Sequence, residues 1–372
     1  MNFEINMINV EDGDAIILQL KKADKKALIV IDGGYQKHYS KLKKRLDELL
    51  PDFNNKIELI ICSHYDNDHL EGISFLLDDC QSQSIKIGEI WMHKIEDRLE
   101  DLILGMDERI QYEKENWQPE KKKLWKIMYG SFNIPYDDRQ DQLVLENYAY
   151  LKGLIQKIID YGLENKIREV KRGDCLEGFE EFKVVSPKPE FYNYFLPQLK
   201  QEKFLEDVKR SSKRKLLESS EESKTIDEHI MDTISPCERL KTSSIKNRVT
   251  PTNMVSIVTL LTTHSKKLLF TADSGIESYQ QQELLNAELN NLDWLQLPHH
   301  GSKNNTSKIM LDHFNPEQVF VSGKNIENRP DSVIVGCLSG KNRLKAITVT
   351  NSDLNTWYLK FDQSGDIERV LI

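Results

Sequence analysis

Metal-ligating side chains are concentrated in segment 63–72, which reads Ser-His-Tyr-Asp-Asn-Asp-His-Leu-Glu-Gly. Within the six residues 64–69, four side chains carry an imidazole or a carboxylate, namely His64, Asp66, Asp68 and His69. The segment follows the apolar run Ile57–Cys62, which predicts a strand buried on both faces. A loop at a strand end can turn alternate side chains into one cavity. The first pair of these residues could therefore share one cation and the second pair another.

Capping is the structural alternative for this segment. Asp68 alone would serve as the N-cap of the helix predicted over Leu70–Leu77. Four ligand-type residues at this spacing exceed what a cap needs, so the segment predicts a metal site. The chain contains no Cys-x-x-Cys pair, and any metal must therefore be held by histidines and carboxylates.

Two later motifs repeat the arrangement of an apolar strand followed by ligand-type residues. Phe270–Gly275 contains Asp273, whose two carboxylate oxygens could bridge two cations. A turn or N-cap role for this residue stays equally open. Leu297–Ser302 contains His299 and His300, and a neutral imidazole suits Zn²⁺ and Mn²⁺ alike. The alternative is that one histidine is packed and the other is exposed.

Composition limits the class of protein. The chain has 372 residues, of which 39% are hydrophobic, enough for a buried core. With 51 Lys and Arg against 60 Asp and Glu, the net charge is −9. This balance excludes a globally basic protein that coats nucleic acid, although a local basic groove stays open. At roughly 150 residues per domain, the length fits two domains or one domain with insertions.

The apolar runs and the cysteines predict a compartment. No run reaches the roughly 20 residues of a membrane span, and the first residues do not resemble a secretory signal. We therefore expect a cytoplasmic protein without a membrane partner. The five cysteines lie far apart in sequence, which predicts reduced and mostly buried thiols.

Periodicity predicts a strand-rich chain with two interruptions. The runs Phe3–Val10, Ala15–Leu20 and Ala27–Ile31 predict antiparallel strands. Residues 95–165 carry apolar positions at helical spacing and are interpreted as a helical insertion. Residues 190–250 are interpreted as a charged lid or linker, which interrupts the chain before the strands return. Further elements are predicted as a helix over Tyr35–Leu50, strands over Ile167–Lys171, Phe182–Val185, Val255–Leu261 and Lys266–Thr271, a helix over Ile276–Leu289, and strands over Leu292–Leu297, Gln318–Val321, Ala346–Thr350, Trp357–Phe361 and Glu368–Leu371.

The metal-ligand motifs resemble those of the metallo-β-lactamase fold superfamily. Its signature His-x-[His or Asp]-x-Asp-His is matched by segment 64–69. The Thr-Ala-Asp and Pro-His-His-Gly-Ser motifs are similar to the subgroup that contains the hydrolase domain of the ComEC competence DNA-uptake protein and phosphorylcholine esterase. The resemblance covers residues 1–91 and 182–372. It implies an α/β fold, a four-layer αβ/βα sandwich, in a single domain over 1–372 that carries both insertions.

The resemblance also implies two divalent metal ions, Zn or Mn. His64, Asp66 and Asp273 would hold one ion, whereas Asp68, His69, Asp273 and His300 would hold the other, with His299 beside them. Many superfamily members supply a third histidine to the first ion. Here the corresponding region offers Asn253 and Ser256, and the exposed-looking His264 lies in a turn.

The function that this resemblance implies is a metal-dependent phosphodiesterase, with nucleic acid as the substrate. A metal-activated hydroxide would be the nucleophile, Asp68 would orient it and accept its proton, and His299 would protonate the leaving group. Asn253, Ser256, Ser302 and Arg329 would contact the substrate, although Arg329 is equally well explained as an exposed structural residue. One alternative is the hydrolysis of a small phosphoester or cyclic nucleotide. Another is a component of a multigene bacterial defence or DNA-uptake system that binds a protein partner through the helical insertion.

Overall fold

The computed structural model describes residues 1–93, 150–151, 153–189, 235–242, 249, 251–279, 288–323, 329–351 and 355–371. Within these ranges, the strands are β1 Asn2–Ile8, β2 Ile16–Lys22, β3 Lys25–Ile31, β4 Lys56–Ile61, β5 Lys86–Trp91, β6 Ile167–Arg168, β7 Cys175–Leu176, β8 Phe179–Ser186, β9 Val258–Thr262, β10 Lys267–Phe270, β11 Trp294–Gln296, β12 Gln318–Val321, β13 Ala346–Val349, β14 Thr356–Asp362 and β15 Ile367–Leu371. The α-helices are α1 Tyr39–Leu49, α2 Asn67–Ser82, α3 Pro236–Thr242, α4 Pro251–Met254, α5 Lys308–Phe314 and α6 Ser332–Ser339, and residues 150–151 and 153–160 are helical as well.

The strands form two sheets. The first sheet has the order β15-β14-β1-β2-β3-β4-β5-β6, and the second has the order β13-β12-β11-β10-β9-β8-β7. As the sequence predicted, β1 and β2 pair antiparallel, and so do β2 and β3. In contrast, β3, β4 and β5 run parallel, and so do β10, β11, β12 and β13. The motifs at 63–72, 270–275 and 297–302 therefore all follow the carboxyl ends of parallel strands.

Three apolar clusters separate four layers. On β2, Ile16 and Leu18 point to the space between the two sheets, whereas Ile17 points to the side of α1 and α2. This alternation is the period of two that a strand imposes. The opposite face of the second sheet packs against α5 and α6 through residues such as Phe314 and Leu338. The arrangement is helix, sheet, sheet, helix, which confirms the α/β sandwich expected from the sequence.

Two glycines allow α2 to lie directly on the turn after β3. Gly33 N donates to His69 O at 2.9 Å, and Gly72 N donates to Gly34 O at 2.8 Å. A Cβ at Gly72 would lie only 1.9 Å from Gly33 O. This close approach places the first turn of α2, and its metal-ligand residues, beside the residue that ends β3.

The described residues test only part of the predicted insertions. Of the helical insertion 95–165, residues 95–149 and 152 lie outside the described part, and the helical residues 153–160 pack Leu154 and Ile158 into the core on the side of α1 and α2. Most of the charged stretch 190–250 also lies outside. The helix predicted over Ile276–Leu289 is described only as a 3₁₀ turn at Ile276–Ser278. Strand β5 was missed in the sequence analysis.

The cysteine prediction was wrong for one pair. Cys237 and Cys337 form a disulfide between α3 and α6, with their Cα atoms 4.5 Å apart. Their separation of 100 residues hid this proximity in the sequence. Cys62 and Cys80 are free and buried as expected, and Cys175 is free and half-buried. Among the described residues, no helix is both long and apolar enough to cross a bilayer.

Candidate metal centre

The first part of the site is the helix half, which we define as residues His64–His69 at the end of β4 and the start of α2. Asp66 occupies the N-cap position in an extended conformation, but its side chain makes no capping hydrogen bond. Its Oδ2 lies instead 3.7 Å from His64 Nε2. Asp68 Oδ2 lies 3.8 Å from His69 Nε2. The carboxylates of this half are therefore near imidazoles.

One carboxylate fixes the orientation of both histidines in the helix half. His69 Nδ1 donates to Asp32 Oδ2 at 2.8 Å, and the Ser63 hydroxyl donates to the same oxygen at 2.6 Å. Because the Ser63 proton is directed at Asp32, its oxygen is left to accept from His64 Nδ1, 2.9 Å away. This network places the Nε2 lone pairs of His64 and His69 toward the site, as metal ligation requires.

The second part is the turn half, which we define as Asp273 together with His299 and His300. Asp273 is buried, and its Oδ1 lies 3.4 Å from His69 Nε2. Its Oδ2 lies 3.8 Å from His64 Nε2 and 3.6 Å from His299 Nε2. Asp273 thus faces histidines from both halves, which is the position that a bridging ligand needs.

The two consecutive histidines adopt an unusual backbone conformation. His299 has φ 49° and His300 has φ 56°, and Gly301 follows with φ 81°. L residues with side chains rarely take this left-handed region, and each such residue costs about 1–2 kcal/mol. The turn directs His300 Nε2 to within 3.3 Å of Asp68 Oδ2, while His300 Nδ1 donates to Ser322 O at 3.1 Å.

Contacts from distant residues hold this turn. Arg329 Nη1 donates to His299 O at 2.6 Å, and His299 N donates to Ala272 O at 3.1 Å. Asn305 accepts from His299 Nδ1 at 3.1 Å and donates through Nδ2 to Asp273 O at 3.0 Å. Tertiary hydrogen bonds therefore fix the backbone of His299, the Nδ1 edge of its ring and the main-chain oxygen of Asp273.

The donor atoms fit divalent metal ions. Among the metal-ligand residues of the two halves, three buried atoms have no hydrogen-bond partner in the described part of the chain, namely His64 Nε2, His69 Nε2 and Asp273 Oδ1. Among the described residues, three compact groups have ligand atoms within 4.8 Å of one another, namely His64, His69 and Asp273, then Asp68, His69 and His300, and finally Asp14, Asp32 and His69. The first two groups share His69, whose Nε2 can serve only one ion. In the third, His69 Nδ1 already donates to Asp32. Nitrogen and carboxylate ligands without thiolates suit Zn²⁺ or Mn²⁺.

Charge complementarity dominates the electrostatics of the site. Burial favours a neutral His69, but the carboxylates of Asp273, Asp68 and Asp32 raise its pKa well above the usual range. The same competition raises the pKa of His300 to about 9, chiefly through Asp273 and Asp68. Burial opposes ionisation of Asp68, yet His69 and His300 lower its pKa to about 2. Without metal, protons on His69 and His300 balance the carboxylates.

The residues expected to contact substrate are not all brought to the site. Asn253 Nδ2 lies 3.5 Å from His299 Nδ1, and Arg329 contacts the turn half through its backbone. Ser302 instead accepts from Asn304 N. Ser256 is fully buried, and its hydroxyl has no partner among the described residues.

Sequence reasoning missed the residues that orient the ligands. Asp32 lies in an Asp-Gly-Gly turn at a strand end, and this position was the only available signal. Asn305 and Ser63 carry no distinctive spacing.

His93, at the end of β5, hydrogen-bonds through Nε2 to Val255 O at 2.6 Å, and its burial lowers its pKa to about 4. The neutral ring ties β5 to the loop that precedes β9.

Comparison with known proteins gives similarity to solved structures only. No protein-family model and no curated protein matches the chain. The metallo-β-lactamase fold protein YhfI from Bacillus subtilis is 11% identical, with 97% of this chain and 100% of that chain covered and a TM-score of 0.43. The hydrolase AbOPH of the β-lactamase superfamily is 16% identical, with 70% of this chain and 56% of that chain covered and a TM-score of 0.31. These scores are too low to carry an argument about function.

Proposed function

We propose that the chain is a hydrolase that uses two divalent metal ions to cleave phosphodiesters, with nucleic acid as its substrate class. The observation that carries the proposal is the position of Asp273. One of its oxygens faces His69 Nε2, and the other faces His64 Nε2 and His299 Nε2. A carboxylate shared between two imidazole groups is suited to bridge two cations.

Two bound cations would supply an activated water and stabilise charge on the phosphoryl oxygens during an in-line displacement. Asp68 is the candidate to orient that water and receive its proton. The side chain of Asp68 is 20% exposed, whereas that of Asp273 is 2% exposed. His300 holds its carboxylate from one side through the contact at 3.3 Å. Asp68 therefore combines solvent access with a fixed orientation.

His299 is the candidate to protonate the leaving group. Its Nδ1 is held by Asn305, so its Nε2 points toward Asp273 and the site. Its side chain is 17% exposed, more than His64 or His69, which are fully buried. A substrate oxygen can therefore approach His299 more readily than the other histidines.

Substrate choice rests on weaker support. Arg329 lies beside the turn half, where its guanidinium could also bind a phosphate as a fork-shaped donor. The preference for nucleic acid comes from the sequence resemblance to the hydrolase domain of the DNA-uptake protein. A cytoplasmic location accords with this substrate and is part of the proposal.

The direct test is hydrolysis of bis(p-nitrophenyl) phosphate with Mn²⁺ or Zn²⁺ by the wild type and by Asp68→Asn. We expect metal-dependent turnover that falls on the order of 10²–10³-fold in the variant, because general-base assistance and metal ligation are both lost. Asp312→Asn is the matched control, since Asp312 is 44% exposed and pairs with lysines away from the site. It should retain wild-type turnover.

The outcomes separate the competing functions. Turnover that persists in Asp68→Asn would overturn the assigned site. Cleavage of cyclic nucleotides or phosphocholine esters, but not of DNA or RNA, would replace the polymer substrate with a small one. A metal-loaded wild type that cleaves none of these esters, but co-purifies with another protein, would favour the role of a partner-binding component.

A further inference from the structure

The side chain of Gln296 connects the two halves of the candidate metal centre across the two sheets. Gln296 is the last residue of β11 in the second sheet and is 2% exposed. Trp294, two residues earlier, packs into the cluster between the sheets, and the alternation of a strand points Gln296 to the same side. From there it reaches Asp14, which precedes β2 in the first sheet.

Both ends of this amide are engaged. Its Nε2 donates to Asp14 Oδ2 at 2.6 Å. Its Oε1 accepts from Thr271 N at 3.1 Å and from Ala272 N at 3.4 Å. The Thr271 hydroxyl in turn donates to the main-chain oxygen of Gln296 at 2.9 Å. The two residues that lead into Asp273 are therefore fixed by one side chain.

Asp14 connects the same amide to the helix half. Its backbone N donates to Asp68 O at 3.2 Å, and its Oδ2 lies 3.9 Å from His69 Nδ1. Asp14 itself is 2% exposed. A shift of this buried carboxylate would move the backbone that carries Asp68. The position of Gln296 therefore affects both the helix half and the turn half.

We propose that Gln296 is a positioning residue that sets the separation between the turn half and the helix half, and thereby the geometry in which the two metal ions are held. This inference rests on the proposed metal centre and adds a residue to it. The Asp273 Oδ1 to His69 Nε2 distance of 3.4 Å spans the gap between the halves. Loss of either end of the amide leaves buried groups unpaired, namely the Asp14 carboxylate or the two N–H groups before Asp273.

The test measures metal binding rather than turnover. Wild type, Gln296→Glu and Gln296→Met are dialysed against Zn²⁺, Mn²⁺ or Co²⁺, and stoichiometry, Kd and the visible spectrum of the cobalt form are recorded. Gln296→Glu keeps the acceptor for the N–H groups but loses the donor to Asp14. We expect the affinity for at least one ion to fall about 10–100-fold, as for other residues that orient ligands, together with an altered cobalt spectrum.

A swapped pair provides the rescue. In the double variant Gln296→Glu with Asp14→Asn, the amide of position 14 can donate to the new carboxylate, whose other oxygen still accepts from Thr271 N. We expect metal affinity to return to within about threefold of wild type, since the hydrogen bonds are restored in the reverse direction. Gln318→Met is the matched control, because Gln318 is a buried glutamine on the neighbouring strand β12, paired with Trp294.

Each outcome decides one proposal. A folded Gln296→Met variant with wild-type Kd values and an unchanged cobalt spectrum would overturn the positioning role. If that variant does not fold, an unchanged Kd and spectrum in Gln296→Glu would overturn it equally. A wild type that binds no metal would instead overturn the proposed function. Loss of affinity in the Gln318→Met control as large as in Gln296→Met would show a general packing effect and would also count against the positioning role.

Discussion

The helix half and the turn half supply similar ligands but obtain their geometry differently. In the helix half, His64, Asp66, Asp68 and His69 lie within six consecutive residues at the end of β4 and the start of α2, and Asp32 orients the two histidines directly or through Ser63. In the turn half, Asp273 and the histidine pair come from two separate strand ends. The left-handed backbone at His299 and His300 is held by Arg329, Ala272 and Asn305.

This difference indicates how the site is assembled. A helix start is a regular structure in which neighbouring residues have defined directions. A run of left-handed residues is locally unfavourable, and the surrounding structure must compensate for it. We therefore expect changes in distant contacts to act mainly on the turn half, whereas changes within the helix half act through the ligands and their direct hydrogen bonds.

The largest effect is expected where the two halves share a ligand. Asp273→Asn should lower the bound metal to less than the wild-type stoichiometry and reduce phosphodiester turnover on the order of 10³-fold, because the charged oxygens facing His64 and His69 are lost. Elemental analysis after dialysis and the chromogenic assay measure both effects. Retention of full metal content would show that the two halves are separate sites.

Metal affinity should depend strongly on pH. His300 has a pKa raised to about 9, so its ring is protonated in the metal-free protein at neutral pH and must lose a proton before it can bind metal. Affinity should then rise by about tenfold per pH unit below pH 9 through His300 alone, and more steeply because His69, whose pKa is also raised, must release a proton as well. Calorimetric titrations in buffers of different ionisation enthalpy would report the released proton. A pH-independent affinity would place His300 outside the ligand set.

The orientation of the helix half depends on Asp32. Asp32→Asn replaces the carboxylate that accepts from His69 Nδ1 and Ser63, and we expect metal affinity to fall about 10–100-fold. Asp293→Asn is the matched control. Asp32 Oδ1 accepts from Ser63 N at 2.8 Å, and Asp293 Oδ2 likewise accepts from Lys267 N at 2.8 Å within the second sheet. Equal losses in both variants would attribute the effect to general destabilisation.

The smallest effect is expected at Arg329, which supports the turn half through one backbone carbonyl. Arg329→Lys keeps the charge but loses the planar donor, and we expect metal affinity to fall about tenfold, the scale of one charged hydrogen bond. Arg343→Lys is the control, since Arg343 also donates to backbone carbonyls, including that of Asn315 at 2.9 Å.

The Arg329 result also sharpens the comparison between the halves. A raised KM for the phosphodiester with unchanged metal affinity would assign Arg329 to substrate binding, as the sequence suggested. If Arg329→Lys lost more metal affinity than Asp32→Asn, the turn half would be the more sensitive of the two halves to loss of a supporting hydrogen bond.

The fold was predictable where the sequence pattern was periodic. The short apolar runs Phe3–Val10 and Ala15–Leu20, separated by a turn, predicted antiparallel strands, and the apolar run Ile57–Cys62 predicted a doubly buried strand, as β1, β2 and β4 show. The short parallel strand β5 was missed because its residues 86–91 mix apolar and polar positions. The repeat of apolar residues is a local property of the sequence. It therefore does not predict a strand that is stabilised mainly by its neighbouring strands.

The sequence by itself determined the residue types of the site. Strand ends followed by His, Asp and Gly marked the three places from which ligands come, and the parallel strand order then brought those ends together. It could not show the Cys237–Cys337 disulfide, whose partners lie 100 residues apart. Nor could it show that Asp32 orients two histidines.

Tertiary structure decided how these residues face one another. The separation of Asp273 from His69, the amide of Gln296 between the two sheets and the Arg329 contact to the histidine turn are all set by pairs distant in sequence. Such contacts depend on packing between layers, whereas spacing along the chain records only what lies within one helical turn or one strand. The local sequence therefore determines which ligand types are present, whereas the folded sandwich determines their geometry.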